Sequence, residues 1–97
     1  MTLMAADLNA ELRAAAESRM NWTLAHLGTP RLMAMYAPSD NVRGFIFASR
    51  DDDGVWDGWT WFVLRGSSRL NSDEALETTA AIAVSRIQEF VARLDTV

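Results

Sequence analysis

The sequence predicts an α+β fold in the order helix, three-stranded antiparallel sheet, helix (α-β-β-β-α), with both helices mainly on one face of the sheet. Three observations carry that expectation. Apolar residues recur at helical spacing near both ends, as Leu8, Leu12, Ala16, Met20 and Leu24 first and as Leu76, Ala80, Ala83, Val84, Ile87, Phe90, Val91 and Leu94 last. Between them lie β-rich runs separated by turn residues, and Asp52-Asp53-Gly54 has the composition of a three-residue hairpin loop. The stretch from Val55 to Leu64 holds three of the four tryptophans and is apolar on both alternating faces in its second half, so the strand it forms needs cover on both sides.

Size and composition bound the rest. A chain of 97 residues with 49% hydrophobic content makes a single α+β domain over 1-97. The absence of cysteine removes disulfides, thiolate metal ligands and a cysteine nucleophile together, and a cytoplasmic setting is the default. Asp7 and Glu11 interrupt the first apolar run, so neither a signal peptide nor a membrane span is expected. Residues 1–50 carry five Arg against four acids and residues 51–97 four Arg against nine, which places the surplus behind the net charge of −4 in the second half. Nucleic-acid binding draws mostly on counterion release by Lys and Arg, so an acidic chain without lysine is not expected to bind nucleic acid directly.

Each element follows from local signals. The first helix is expected from Leu3 to Leu27, with Gly28 and Pro30 where a helix stops. Its ladder drifts, because an i, i+4 series walks around the axis and brings Arg19 and His26 near the azimuth of Leu8. The helix therefore either wraps across the sheet or breaks between Ser18 and Asn21. Arg31 to Ala37 is the first expected strand, Pro38-Ser39-Asp40-Asn41 a turn, and Val42 to Arg50 the second strand. Pairing Asp51 with Val55 across the hairpin sets Phe45 opposite Trp61, Phe47 opposite Trp59 and Ile46 opposite Thr60. Phe45, Phe47, Trp59 and Trp61 then form an aromatic patch on one face. Val42, Gly44, Ile46, Ala48, Thr60, Phe62 and Leu64 form the other, where the smaller residues let a helix approach; a register slip of one residue scrambles this division. Arg65 to Leu70 reads as a linker, and Asn71 or Ser72 as the cap of a second helix with Asp73 and Glu74 in its first turn. Ile82 falls off the apolar stripe of that helix, as an isolated exposed residue or part of an interface.

Sites of chemistry are sparse. His26, the only histidine, falls in the last turn of the first helix, where a cation has a structural role. With Gly54 at the sixth position of a calcium loop, the first ligand would be Ser49 and the twelfth Thr60 in place of Glu, so Asp51-Asp52-Asp53 is read as a solvated hairpin tip. Arg65-Gly66-Ser67-Ser68-Arg69 has the small residues and flanking cations of an anion cradle, but Asp73 and Glu74 already occupy the helix start that follows. No catalytic residue, metal or cofactor is expected. The order of elements resembles the double-stranded-RNA-binding domain. That family grips phosphate with a lysine-rich start to its second helix, where this chain has Asn71-Ser72-Asp73-Glu74-Ala75, so neither function nor site carries over.

Two helices cover one face of a three-stranded sheet and hardly both, so the second apolar face is expected to meet a twin subunit or another partner unless the first helix bends around an edge. The leading expectation is a small acidic, non-enzymatic protein-binding module, an inhibitor or decoy of the phage anti-defence (anti-CRISPR) type that docks on a basic, nucleic-acid-handling protein complex. Asp51, Asp52, Asp53, Asp57, Asp73, Glu74 and Glu77 would steer association, and Phe45, Phe47, Trp59 and Trp61 would anchor it. The alternatives are a homodimeric structural or accessory subunit, and a small-ligand sensor or enzyme with Trp59, Trp61 and Tyr36 around a pocket and Arg43 or Arg65 fixing an anionic group.

Overall fold

The first helix stops well before Leu27. A computed structural model describes residues 5–26, 32–50, 56–71 and 75–94, with only the backbone described for Ala5, Ala6, Arg50, Trp56, Asp57 and Ala75. In it α1 spans Ala5–Ala16, and the chain then unwinds through a turn in which the amide of Glu17 donates to the carbonyl of Arg13 at 2.9 Å and that of Arg19 to Ala16 at 3.1 Å. Asn21 closes the turn at φ 71°, a left-handed conformation that asparagine tolerates better than most residues. Aromatic and β-branched residues follow, and they form β1 (Trp22–His26) instead of a further helical turn. The expected helix from Leu3 to Leu27 is corrected accordingly, and the drift of its apolar ladder marks the break. His26 moves with it: it is an exposed strand residue opposite Leu32, not a cation at a helix end.

After β1 come β2 (Leu32–Tyr36), β3 (Val42–Arg50), β4 (Trp56–Arg65), β5 (Ser68–Arg69), β6 (Ala75–Glu77) and α2 (Ala80–Leu94). The fold is α+β with two helices and one antiparallel sheet, but the sheet has six described strands, not three. Its order is β1-β2-β3-β4, with β5 and β6 both on the outer edge of β4. Arg65 to Leu70 is thus no linker: Arg65 pairs with Ser68 across a tight turn at Gly66-Ser67.

Asn71 does not cap the second helix. Its side-chain oxygen accepts from the Val63 amide at 2.8 Å and its side-chain nitrogen donates to the Trp61 carbonyl at 3.4 Å, so it stands in for a strand in the gap between β5 and β6. The helix starts later, where the Thr79 hydroxyl accepts from the Ile82 amide at 3.2 Å and the Glu11 carboxylate, reaching across from α1, accepts from the Ala80 amide at 2.7 Å.

Both helices lie on one face of the sheet, α1 against β1 and β2 and α2 against β3, β4 and β6, and they touch each other. The core between them and the sheet includes Leu8, Leu12, Ala34, Ile46, Val63, Val84 and Ile87. Each fully buried Leu, Ile or Val there contributes about 1.5–3 kcal/mol relative to an exposed position. The close approach of α2 to β3 depends on Gly44, where a Cβ would stand 2.6 Å from Ile87 Cγ2.

Candidate functional site

The two faces of the sheet are assigned by one extra residue. At the hairpin end Arg50 lies opposite Trp56, in line with the register expected from a three-residue loop, while one step further Ser49 lies opposite Gly58. Asp57 is the additional residue, a bulge that reverses the inward and outward sense of everything after it. Gly58 makes the bulge possible: it adopts φ 151°, which L side chains rarely adopt, and a Cβ there would stand 2.6 Å from the Glu77 carbonyl oxygen on β6.

The expected pairs of Phe45 with Trp61 and Phe47 with Trp59 are therefore corrected. Phe45 lies opposite Phe62, Ile46 opposite Trp61, Phe47 opposite Thr60 and Ala48 opposite Trp59. Trp59 and Trp61 point under the helices at 3% and 8% exposure, and Trp61 meets Phe90 of α2 edge-on at 6.0 Å. For β3 the expected division stands, with Gly44, Ile46 and Ala48 towards the helices; for β4 it is inverted.

Directly opposed residues share a face, so the pairing lays out the side of the sheet away from the helices as rows. One row is Arg43, Leu64 and Arg69. The next is Thr23, Met35, Phe45 and Phe62. A third is Phe47, Thr60 and Leu76, in which Phe47 is 37% and Leu76 48% exposed. Among the described residues no helix covers these rows.

Phe62 is the hub. Phe45 stacks on it from the β3 side, with ring centroids 5.0 Å apart and planes 24° off parallel. The Arg69 guanidinium lies over the ring at 5.6 Å from the β5 side, and Phe47 meets it edge-on at 6.1 Å. The central ring is thus engaged by three side chains of the chain itself. Arg43 donates to the carbonyls of Ser39 and Val42, and neither Arg43 nor Arg69 has a carboxylate partner among the described residues.

Of the residues expected to form the site, the structure brings Phe45 and Phe47 together and buries Trp59 and Trp61 on the opposite face. Glu77 is paired with Arg86 of α2 at 3.6 Å and its side chain is 19% exposed. Asp51, Asp52, Asp53, Asp73 and Glu74 lie outside the described residues, as does the side chain of Asp57. The pairing and ring contacts add Met35, Phe62, Leu64, Arg69 and Leu76 to this face. For Phe62 and Leu64 the signal was Asp57-Gly58, since glycine inside a strand pattern marks a bulge.

The expected pocket of Trp59, Trp61 and Tyr36 does not form. The two tryptophans are core residues, and Tyr36 stacks on Trp22 at 5.0 Å. A cavity of about 620 Å³ lies elsewhere, lined by Arg13, Glu17, Trp22, Leu24, His26 and Leu32. Among the described residues no helix is long and apolar enough to cross a membrane.

The fold is that of an α+β protein with one sheet face that neither described helix covers. No protein-family model, curated protein or solved structure matches the chain.

Proposed function

We propose that this chain is a non-enzymatic protein-binding module and that the open sheet face is its docking surface. The observation that carries this reading is the set of apolar side chains Met35, Phe45, Phe47, Phe62, Leu64 and Leu76, half-buried to exposed, on a face that neither helix covers. Contiguous exposed apolar surface on a small domain usually marks a contact site, and aromatic side chains are the usual anchors of one. A small domain that gives one sheet face to contact is built like an inhibitor or an accessory subunit, and we favour the inhibitor.

The ring geometry supports a protein partner over a nucleobase. Stacking platforms present free aromatic faces to successive bases. Here Phe45 stacks on Phe62 and the Arg69 guanidinium lies over the same ring, so the central ring is already engaged within the chain and is not a free platform for a base.

Capture from a lysate of the native cell tests this reading, with wild-type protein compared against Phe47→Glu. The charge is placed on an exposed strand position outside the core, so the fold is expected to persist by circular dichroism while the captured partner is lost. Equal capture by both proteins, both folded, would refute the assignment of the face.

A further inference from the structure

The uncovered face is not uniform, and the charges of its described residues are of one sign. Arg43 and Arg69 flank Leu64 in a single row at one end, and the described residues of the face include no carboxylate. Resting on the docking reading above, we infer that the face takes a short, acidic, amphipathic segment of another protein. The apolar ridge of that segment lies on Met35, Phe45, Phe47 and Phe62, and its carboxylates meet Arg43 and Arg69.

Charge is the first argument. The Arg69 guanidinium is held over the Phe62 ring and stays exposed, while Arg43 is fixed by the carbonyls of Ser39 and Val42. Both cations are pre-positioned and neither is neutralised by a carboxylate among the described residues. Guanidinium groups favour carboxylates in bidentate geometry, and a basic partner would leave both repelled and partly desolvated. The overall charge of −4 points to a basic partner, whereas the open face selects an acidic one.

Area is the second argument. Five strand positions at about 4.8 Å and six residue rises at about 3.3 Å give a face of roughly 24 by 20 Å, near 500 Å² in plan. A helix about 10 Å across and some fourteen residues long, at 1.5 Å per residue, fits within it. A second copy of this face would bring no carboxylate, among its described residues, to meet Arg43 and Arg69.

Fluorescence anisotropy with labelled synthetic peptides tests the inference. The probes are an 18-residue amphipathic helix with Leu on one face and Glu on the other, its Leu/Lys counterpart, and an oligothymidylate, alongside light scattering of the protein alone. The Leu/Glu peptide is expected to bind on the order of tenfold more tightly than the Leu/Lys peptide, as two partly exposed ion pairs would give. Arg69→Gln, which removes the exposed cation held over the Phe62 ring, is expected to remove much of that preference. Adding Arg43→Gln should remove the rest, and Phe47→Glu should abolish binding of both peptides.

Equal binding of the two peptides, lost in Phe47→Glu, would overturn the acidic partner and leave the docking face standing. Binding of neither by a monomeric protein would overturn both. A dimer that Phe47→Glu dissociates would assign the face to a second copy. Binding of oligothymidylate that depends on Arg43 and Arg69 would assign it to nucleic acid. Either of the last two results overturns the proposal.

Discussion

Replacing Gly58 by alanine tests the element that decides which residues the open face displays. The backbone there stands at φ 151°, and a Cβ would lie 2.6 Å from the Glu77 carbonyl oxygen and 3.1 Å from Leu76 Cδ1. Holding a non-glycine residue in such a conformation costs about 1–3 kcal/mol. The clashing atom is backbone, so β6 has to shift as well, which weakens the pairing of Trp59, Thr60 and Trp61 with Glu77, Leu76 and Ala75. Each ladder hydrogen bond lost adds about 0.5–1.5 kcal/mol. The expected total is about 2–4 kcal/mol, a large share of the 5–15 kcal/mol typical of a domain. In urea, with a slope of about 1–1.5 kcal/mol/M for a chain of this size, the unfolding midpoint should fall by about 1.3–4 M. Peptide binding by the folded fraction should weaken too, because β6 supplies Leu76 to the open face. A midpoint within about 0.4 M of wild type, equivalent to roughly 0.5 kcal/mol, would refute the account of the bulge.

Gly44→Ala should destabilise by about 1–3 kcal/mol through overpacking against Ile87 Cγ2, and by clearly less in an Ile87→Ala background, as a double-mutant cycle in urea would read. Asn71→Leu should cost about 1–3 kcal/mol by leaving the Val63 amide and Trp61 carbonyl unpaired, with Asn71→Asp retaining part of it through the acceptor that Val63 uses; thermal or urea unfolding measures both. Thr79→Ala should cost about 1 kcal/mol by removing the cap of α2, seen as the same loss in chemical unfolding without change in peptide affinity.

The limits of reading this fold from sequence fall at particular residues. The stripe Ala80, Ala83, Val84, Ile87 and Val91 was legible because one buried face imposes helical spacing on α2. Its start was not. Asp73-Glu74-Ala75-Leu76-Glu77 has good helix-forming composition, yet Ala75, Leu76 and Glu77 pair with β4, and tertiary pairing overrides a local preference of a few tenths of a kcal/mol per residue. The drift in the apolar ladder left open a wrap across the sheet or a break between Ser18 and Asn21; the helix ends at Ala16, and β1 itself, only five residues long, was hidden within that ladder. The open face was half legible. Phe45 and Phe47 were placed from the β3 pattern, while their neighbours on β4 depended on a single extra residue at Asp57, and a shift of one residue exchanges the faces of a strand completely.

Oxidative footprinting of methionines tests the central claim most directly, since it needs no substitution. Met35 lies on the open face, half-buried, whereas Met20 stands 82% exposed in the turn after α1. With a captured partner or the Leu/Glu peptide at saturation, oxidation of Met35 should fall several-fold and that of Met20 should not change. Protection of Met20 with Met35 unaffected would place the contact away from the open sheet face and contradict the account.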